Sequence, residues 1–213
     1  MSASRTLRAI MLIAGALAGL ACGDLGRPTS PSYSPKLLPP TLTIRSAFAS
    51  LPVGTRALAV KWGSGHSRLA QTVSAVIGPD GGTLSLPESD FSVSFPSGAV
   101  ASPTLITIVS EGGPYVAYQM QPHGLRFLRP VTAVQGLQNT AVYGTDAGNS
   151  IRSAYLPAGS EAIYVDDTAE PSELQAATTY FYGRDPVAET QVWTINHFSR
   201  YILISNVWVL VSE

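Results

Sequence analysis

Apolar and polar residues alternate in short runs along most of the chain after residue 70. Phe91, Val93 and Phe95 alternate with Ser92 and Ser94, and a period of two places the large side chains on one face of a strand and the serines on the other. Turns rich in glycine and proline separate many of the runs, as at 78–82 and 111–114,. The same pattern predicts further strands at Val73–Ile77, Thr83–Leu86, Thr104–Val109, Tyr115–Gln119, Val131–Val134, Ala162–Val165, Thr178–Tyr182, Val192–His197 and Arg200–Leu210,.

Only Glu170–Ala177 has a helical pattern, and that segment is short. Many strands without alternating helices predict an all-β domain, an antiparallel β-sandwich over residues 71–213. The sequence pattern does not decide the structure of residues 41–70, because the apolar patches at Leu42–Ile44 and Leu58–Trp62 fit either strands or a loosely packed lead-in.

The first 21 residues have the pattern of an export signal. Arg5 and Arg8 precede an uninterrupted small and apolar run, Ala9–Ala21, which ends at Cys22. The run has 13 residues, whereas a membrane-spanning helix needs about 20. The segment is therefore interpreted as a cleaved signal peptide, residues 1–21.

Cys22 is the only cysteine in the chain, and it follows small Ala21 where the apolar run stops. This resembles the bacterial lipobox, where a signal peptidase cuts and the cysteine is acylated, for example with palmitate. The alternative is a plain secretory signal cut a few residues away. By the sorting rule of lipoproteins, Gly23 after the cysteine favours the outer membrane of the bacterial envelope.

Residues 22–40 change in composition and predict an extended tether. Prolines are interspersed with serine and threonine there, without apolar periodicity, so the stretch buries too little apolar surface to order itself. The prolines are Pro28, Pro31, Pro35, Pro39 and Pro40.

The charge balance argues against nucleic acid as a partner. Loss of Arg5 and Arg8 leaves 11 basic and 14 acidic side chains, a net charge of −3, and the sequence pI is about 6.3. Phosphate binding needs a basic patch, and the sequence has no cluster of lysine and arginine.

Three blocks of sequence resemble a known family. Ala75–Leu84 reads Ala-Val-Ile-Gly-Pro-Asp-Gly-Gly-Thr-Leu, Phe91–Ala99 contains Pro-Ser-Gly-Ala, and Gln121–Val131 reads Gln-Pro-His-Gly-Leu-Arg-Phe-Leu-Arg-Pro-Val. In this order they resemble the ZU-five domain of zonula occludens proteins, Unc-five netrin receptors, ankyrins and bacterial envelope lipoproteins. The resemblance covers about residues 71–205. It implies a β-sandwich that serves protein–protein contacts.

The resemblance also singles out His197-Phe198-Ser199, because some relatives cut themselves at this place. Ser199 Oγ would attack the Phe198 carbonyl, shifting the acyl group from nitrogen to oxygen, and His197 would accept the serine proton. The alternative is a structural strand motif, with Phe198 in the core and the other two side chains sharing the opposite face.

Other catalytic or metal-binding patterns are missing from the sequence. It has no Gly-Xaa-Ser-Xaa-Gly elbow, no phosphate loop and no His-Glu-Xaa-Xaa-His pair,. With one cysteine and three scattered histidines (His66, His123 and His197), no zinc site and no cofactor are expected. His123 is expected to pack at the start of a strand and to bond backbone groups.

Three further features of the sequence can be interpreted without a catalytic or metal-binding role. Asp166-Asp167 is interpreted as a solvated turn, since two adjacent carboxylates lack the spaced oxygens of a calcium loop. Residues 62–66, with a serine near His66, are interpreted as a flexible loop. Tyr180 and Tyr182 share one face of a predicted strand, where they either fill the core or stack on sugar rings.

Together these patterns predict a lipid-anchored envelope module that binds or scaffolds another protein, with no enzyme activity toward an external substrate. Two alternatives stay open, a domain that cleaves itself between Phe198 and Ser199 and a module that binds envelope glycans. The membrane, through a lipid on Cys22, and an envelope protein are the expected partners.

Overall fold

Strands form nearly all of the regular structure. This computed structural model describes residues 49–64, 70–157, 163, 166–182 and 187–209. In chain order the strands are β1 (Ala49–Ser50), β2 (Thr55–Ala59), β3 (Gln71–Ile77), β4 (Gly82–Leu86), β5 (Phe91–Phe95), β6 (Thr104–Ser110), β7 (Ala117–Gln121), β8 (Arg126–Gly136), β9 (Arg152–Leu156), β10 (Thr168–Ala169), β11 (Glu173–Leu174), β12 (Ala177–Tyr182), β13 (Val187–His197) and β14 (Arg200–Val209). Short 3-10 turns occupy Pro87–Ser89 and Asp146–Ser150.

The strands form two antiparallel sheets. The five-stranded sheet has the order β12-β13-β8-β5-β4. The nine-stranded sheet has the order β1-β11-β9-β14-β7-β6-β3, and β2 adds to it by pairing with β14 and β10. The two sheets pack against each other, so the predicted antiparallel β-sandwich is confirmed. No helix long and apolar enough to cross a membrane occurs in the described part of the chain.

The main core lies between the sheets and follows the alternation seen in the sequence. Phe91, Val93 and Phe95 of β5 are buried, while Ser92 and Ser94 are partly exposed. A second, smaller cluster of mostly small residues packs on the other face of the large sheet. It makes β14 a strand that is buried on both faces, because Tyr201 and Leu203 face the main core and Ile202 and Ile204 face the second cluster.

One polar network crosses the main core. The Tyr118 hydroxyl of β7 donates to the Gln135 side-chain oxygen of β8, so this bond joins the two sheets. The Gln135 amide donates to the carbonyls of Ser89 and Gly136, at 2.8 and 2.7 Å. The Tyr118 ring stacks on Phe91 with 3.8 Å between centroids. Burial raises the pKa of Tyr118 well above 10.0, so its hydroxyl keeps the proton that it donates,.

Most predicted strands agree with the structure to within a few residues, but the helical prediction for Glu170–Ala177 is wrong. Leu174 pairs with both Ala49 and Ala154 in a short strand instead. The backbone N–H of Gln175 donates to the Ser153 carbonyl at 2.9 Å, so this N–H bonds to the neighbouring strand and not within a helix. Pairing with β9 outweighs the weak local preference for a helix.

The segment that the sequence leaves open between residues 41 and 70 contributes the short strand β1 and the strand β2. Its part 55–59 is β2, which pairs with β14, and Val60 and Trp62 are buried in the main core. Residues 41–48 and 65–69 lie outside the described residues, as do the signal, Cys22 and the tether. Of the predicted strand at 162–165 only Ile163 is described, and it packs on the second cluster.

Candidate functional site

The His197-Phe198-Ser199 motif carries the chain from one sheet to the other. His197 is the last residue of β13 in the five-stranded sheet, and Arg200 is the first residue of β14 in the nine-stranded sheet. Phe198 is fully buried and packs edge-on against Phe127 and Phe95, with centroid distances of 4.8 and 6.0 Å. Its ring therefore fixes the crossover in the main core.

Backbone hydrogen bonds join this crossover to the turn at residues 122–125. The N–H of Phe198 donates to the Leu125 carbonyl at 2.8 Å, and the Phe198 carbonyl accepts from the N–H of Gly124 at 2.9 Å. Gly124 has φ +75°, a left-handed conformation that glycine adopts without strain,. The two most specific motifs of the sequence thus meet at the Phe198–Ser199 peptide, and Gly124 polarises its carbonyl.

The imidazole of His197 lies among tyrosines. It meets Tyr155 edge-on at 5.1 Å and lies 6.3 Å from the Tyr201 ring. The Tyr201 hydroxyl donates to the His197 carbonyl at 2.6 Å, and burial raises the pKa of that hydroxyl. The hydrogen bonds of the described residues include none between the imidazole and the Ser199 hydroxyl.

An ion pair fixes the chain directly after Ser199. Arg200 binds the carboxylate of Glu111 through two nitrogens, each 2.5 Å from its oxygen, and both side chains are largely buried. The carbonyl of Ser199 accepts from the N–H of Met120 at 3.0 Å. The main chain on both sides of the Phe198–Ser199 bond is therefore held in place.

The histidine of the Pro-His-Gly block, His123, has a different environment from the expected one. His123 is exposed in the turn that precedes β8, so its ring does not pack at the start of that strand. Within the described residues, no group of three His, Cys, Asp or Glu side chains could hold a metal ion.

The Asp166-Asp167 turn is partnered within the protein. Asp167 lies 2.6 Å from the Lys61 ammonium and accepts a bond from the Tyr115 hydroxyl at 2.8 Å. These two contacts, Lys61 first, lower the pKa of the Asp167 carboxyl. Asp166 accepts from the hydroxyl and the N–H of Thr168, which lowers its pKa as well. Both carboxylates of this surface turn therefore bind neighbouring groups of the same chain.

The remaining sequence candidates are spread over the fold. Tyr180 is half-buried on β12, and the side chain of Tyr182 lies outside the described residues. Trp62 is buried, Ser64 is exposed, and His66 lies outside the described residues.

An apolar surface that the sequence pattern alone does not reveal lies on the outer face of the large sheet. Val76 of β3 and Leu105 of β6 are direct cross-strand partners, and they are 64% and 61% exposed. Beside them, the Ser74 and Thr107 hydroxyls are 2.8 Å apart. Both apolar residues occupy outward positions of strands whose residues alternate between the two faces, and this alternation is visible in the sequence. The sequence does not show, however, that β3 and β6 are neighbours.

The fold and these sites define an all-β sandwich domain, with the exposed apolar pair Val76 and Leu105 on its larger sheet. A scan of protein-family models found none that matches the chain, and a search of curated proteins found no match. The resemblance to the ZU-five family therefore stays a prediction from the sequence motifs.

Proposed function

We propose that this chain is a lipid-anchored binding module of the bacterial envelope, of ZU-five type, whose partner is another envelope protein. The observation that carries the proposal is the exposed Val76–Leu105 pair. Two large aliphatic side chains that are adjacent and more than half exposed lose contact with water when a partner covers them, which favours binding. The signal peptide, Cys22 and the proline-rich tether support a position at the membrane surface.

A pair of matched variants tests the binding surface. Leu105→Asp introduces a charge that a partner would have to desolvate, whereas Leu128→Asp makes the same change at a residue that is 71% exposed on the other sheet. We expect Leu105→Asp to weaken binding to proteins captured from an envelope extract by about tenfold or more, the effect of losing roughly 1.4 kcal/mol. Leu128→Asp should bind as the unchanged protein does.

Two results would refute this proposal. Equal loss of binding in both variants would show that the Val76–Leu105 surface is not the contact. Enrichment of polysaccharide without any protein would favour the glycan-binding alternative.

The proposed anchor has its own test. Metabolic labelling with a palmitate analogue should tag the protein, and Cys22→Ser should abolish the tag and release the chain from the membrane. Labelling that survives the substitution would reject acylation at Cys22.

We infer a second candidate function, self-cleavage between Phe198 and Ser199, from the hydrogen bond that Gly124 donates to the Phe198 carbonyl oxygen at 2.9 Å. A donor on this oxygen withdraws electron density from the carbonyl carbon and stabilises the negative charge that develops when a nucleophile adds. Because Gly124 donates from the backbone of a tight turn, its N–H is already oriented.

The reaction would proceed by an acyl shift. Ser199 Oγ adds to the Phe198 carbonyl carbon while His197 accepts the hydroxyl proton. The bond from this carbon to the Ser199 nitrogen breaks, and His197 returns the proton to the amine. Water then hydrolyses the ester to a Phe198 carboxylate and a free hydroxyl. The imidazole must first leave the two tyrosine rings and reach the Ser199 hydroxyl.

Mass measurement after denaturation tests this candidate. β14 pairs with three other strands, so a cleaved segment 199–213 would stay bound until denaturant releases it. Ser199→Ala should abolish cleavage and Ser199→Cys should retain it, because a thiol also undergoes the acyl shift. An intact mass after prolonged incubation, or cleavage in Ser199→Ala, would reject the reaction.

A further inference from the structure

Strand β3 is an edge without the features that usually protect an edge. It lies at the end of the nine-stranded sheet, and within the described residues it pairs only with β6. Its sequence, Gln-Thr-Val-Ser-Ala-Val-Ile, contains no charge and no proline. Its pairing with β6 is unbroken over all seven residues. Proteins commonly block such edges with lysine, proline or a bulge, because unpaired backbone groups recruit further strands.

The edge strand β12 is less regular than β3. That strand is one of the two edges of the five-stranded sheet, and its register shifts between Tyr180 and Phe181, an irregularity of the kind that twists an edge away from a new strand,. β3 has no such irregularity, so its outward N–H and C=O groups form a regular row.

The inner face of β3 also leaves apolar surface partly exposed to solvent. Val73 and Ala75 pack against the main core but are only partly buried, because among the described strands β3 has a neighbour on one side only. A strand added beside β3 would bury the rest of their surface and extend the sandwich by one strand on that sheet.

We propose that a second copy of this chain supplies that strand, with two β3 strands pairing antiparallel about a twofold axis at Ser74. In such a dimer each contact occurs twice, with the partners exchanged. The register places Ser74 opposite itself, Val73 opposite Ala75 and Thr72 opposite Val76. Val73 and Ala75 are both aliphatic and Thr72 and Val76 have the same branched shape, whereas the end pair joins Gln71 to Ile77, so the strand is complementary to its own reverse over its five central residues.

The lack of charge on β3 favours its own copy over a charged segment as the occupant. A neutral strand has no ionic feature with which to select a different partner, and in self-pairing it meets no like charge. This inference goes beyond the proposed binding function. The dimer would place two Val76–Leu105 surfaces on one continuous sheet face, separated by the hydroxyl row of Ser74 and Thr107.

Charge substitution at the proposed axis tests the dimer. The sample is the secreted chain carrying Cys22→Ser, purified without detergent and studied by sedimentation equilibrium. We expect the otherwise unchanged protein to form dimers. Ser74→Lys or Ser74→Glu, each alone, should raise the dissociation constant about fivefold or more, because two like charges then lie directly opposite each other.

Mixing the two variants provides the decisive result. An equimolar mixture of Ser74→Lys and Ser74→Glu should form a heterodimer at least as tight as the unchanged dimer, which also shows that both variants are folded. Ser85→Lys is the matched control, since Ser85 is an exposed serine on β4, which is also an edge strand but lies in the five-stranded sheet. It should dimerise as the unchanged chain does.

Three results would overturn the inference. These are a monomer at all concentrations, dimers that tolerate both Ser74 variants, and a mixture that dimerises no better than the single variants. The two proposals can fail independently, because Leu105→Asp tests partner binding and the Ser74 variants test the dimer. Loss of partner binding in a Leu105→Asp protein that still dimerises would show that the two surfaces act separately.

Discussion

Replacing Gly81 by alanine should destabilise the sandwich much more than the same change at Gly113. Gly81 closes the turn between β3 and β4, where its N–H donates to Gly78 at 3.0 Å. An added Cβ would lie 2.2 Å from the Phe95 carbonyl oxygen. That oxygen belongs to the backbone of a paired strand, so no side-chain rotation can relieve the contact.

The comparison separates two costs. Gly81 and Gly113 have similar φ angles, +83° and +77°, but a Cβ at Gly113 meets no heavy atom within 4 Å. Gly113→Ala should therefore show only the backbone cost of a left-handed conformation, about 1 kcal/mol. Gly81→Ala adds the cost of overpacking, roughly 1 to 3 kcal/mol, for a total of about 2 to 4 kcal/mol.

Urea unfolding monitored by tryptophan fluorescence measures the difference, since Trp62 and Trp193 are buried. The midpoint should fall in both variants, more for Gly81→Ala, with an unchanged dependence on urea concentration. In thermal unfolding each kcal/mol should lower the melting temperature by about 2 to 4 °C. Equal losses of stability would refute the reasoning from the close backbone contact.

Three further changes should have measurable effects. Phe198→Ala should lower the free energy of unfolding by about 3 to 5 kcal/mol, because it leaves a cavity beside two phenylalanine rings,; a loss below 1 kcal/mol in urea unfolding would contradict this. Tyr118→Phe should cost roughly 1 to 3 kcal/mol, since Gln135 loses its donor,. The raised pKa of Tyr118 stabilises the fold below pH 10.0, and this contribution is lost as pH rises through the folded pKa,. The variant should therefore lose stability less steeply above pH 10.0, and an equal slope would contradict the assignment. The pKa of Asp167 is lowered below 3.8, so its contribution is present above pH 3.8 and is lost as pH falls through the folded pKa,. Asp167→Asn should flatten the acid loss of stability in a pH series of urea midpoints, and an unchanged acid slope would count against the contact with Lys61.

Much of the fold could be predicted from the sequence, because strand alternation is a local property. The period of two in Phe91–Phe95 assigns each side chain to a face, and the structure confirms that assignment. Glu173–Leu174 shows the limit, since its strand exists only through pairing with β1 and β9. The candidate site was harder to predict. The motif His197-Phe198-Ser199 was visible, but the hydrogen bond from Gly124 joins residues far apart in the chain.

The sequence by itself determined which side chains point inward on most strands and that turns separate them, because these preferences depend on near neighbours along the chain. Only the tertiary structure decided which strands are neighbours. It placed β3 at an edge, set Leu105 beside Val76, and joined Tyr118 to Gln135 across the core. Strand order depends on hydrogen bonds and packing between distant segments, and many orders satisfy the same alternation of apolar and polar residues.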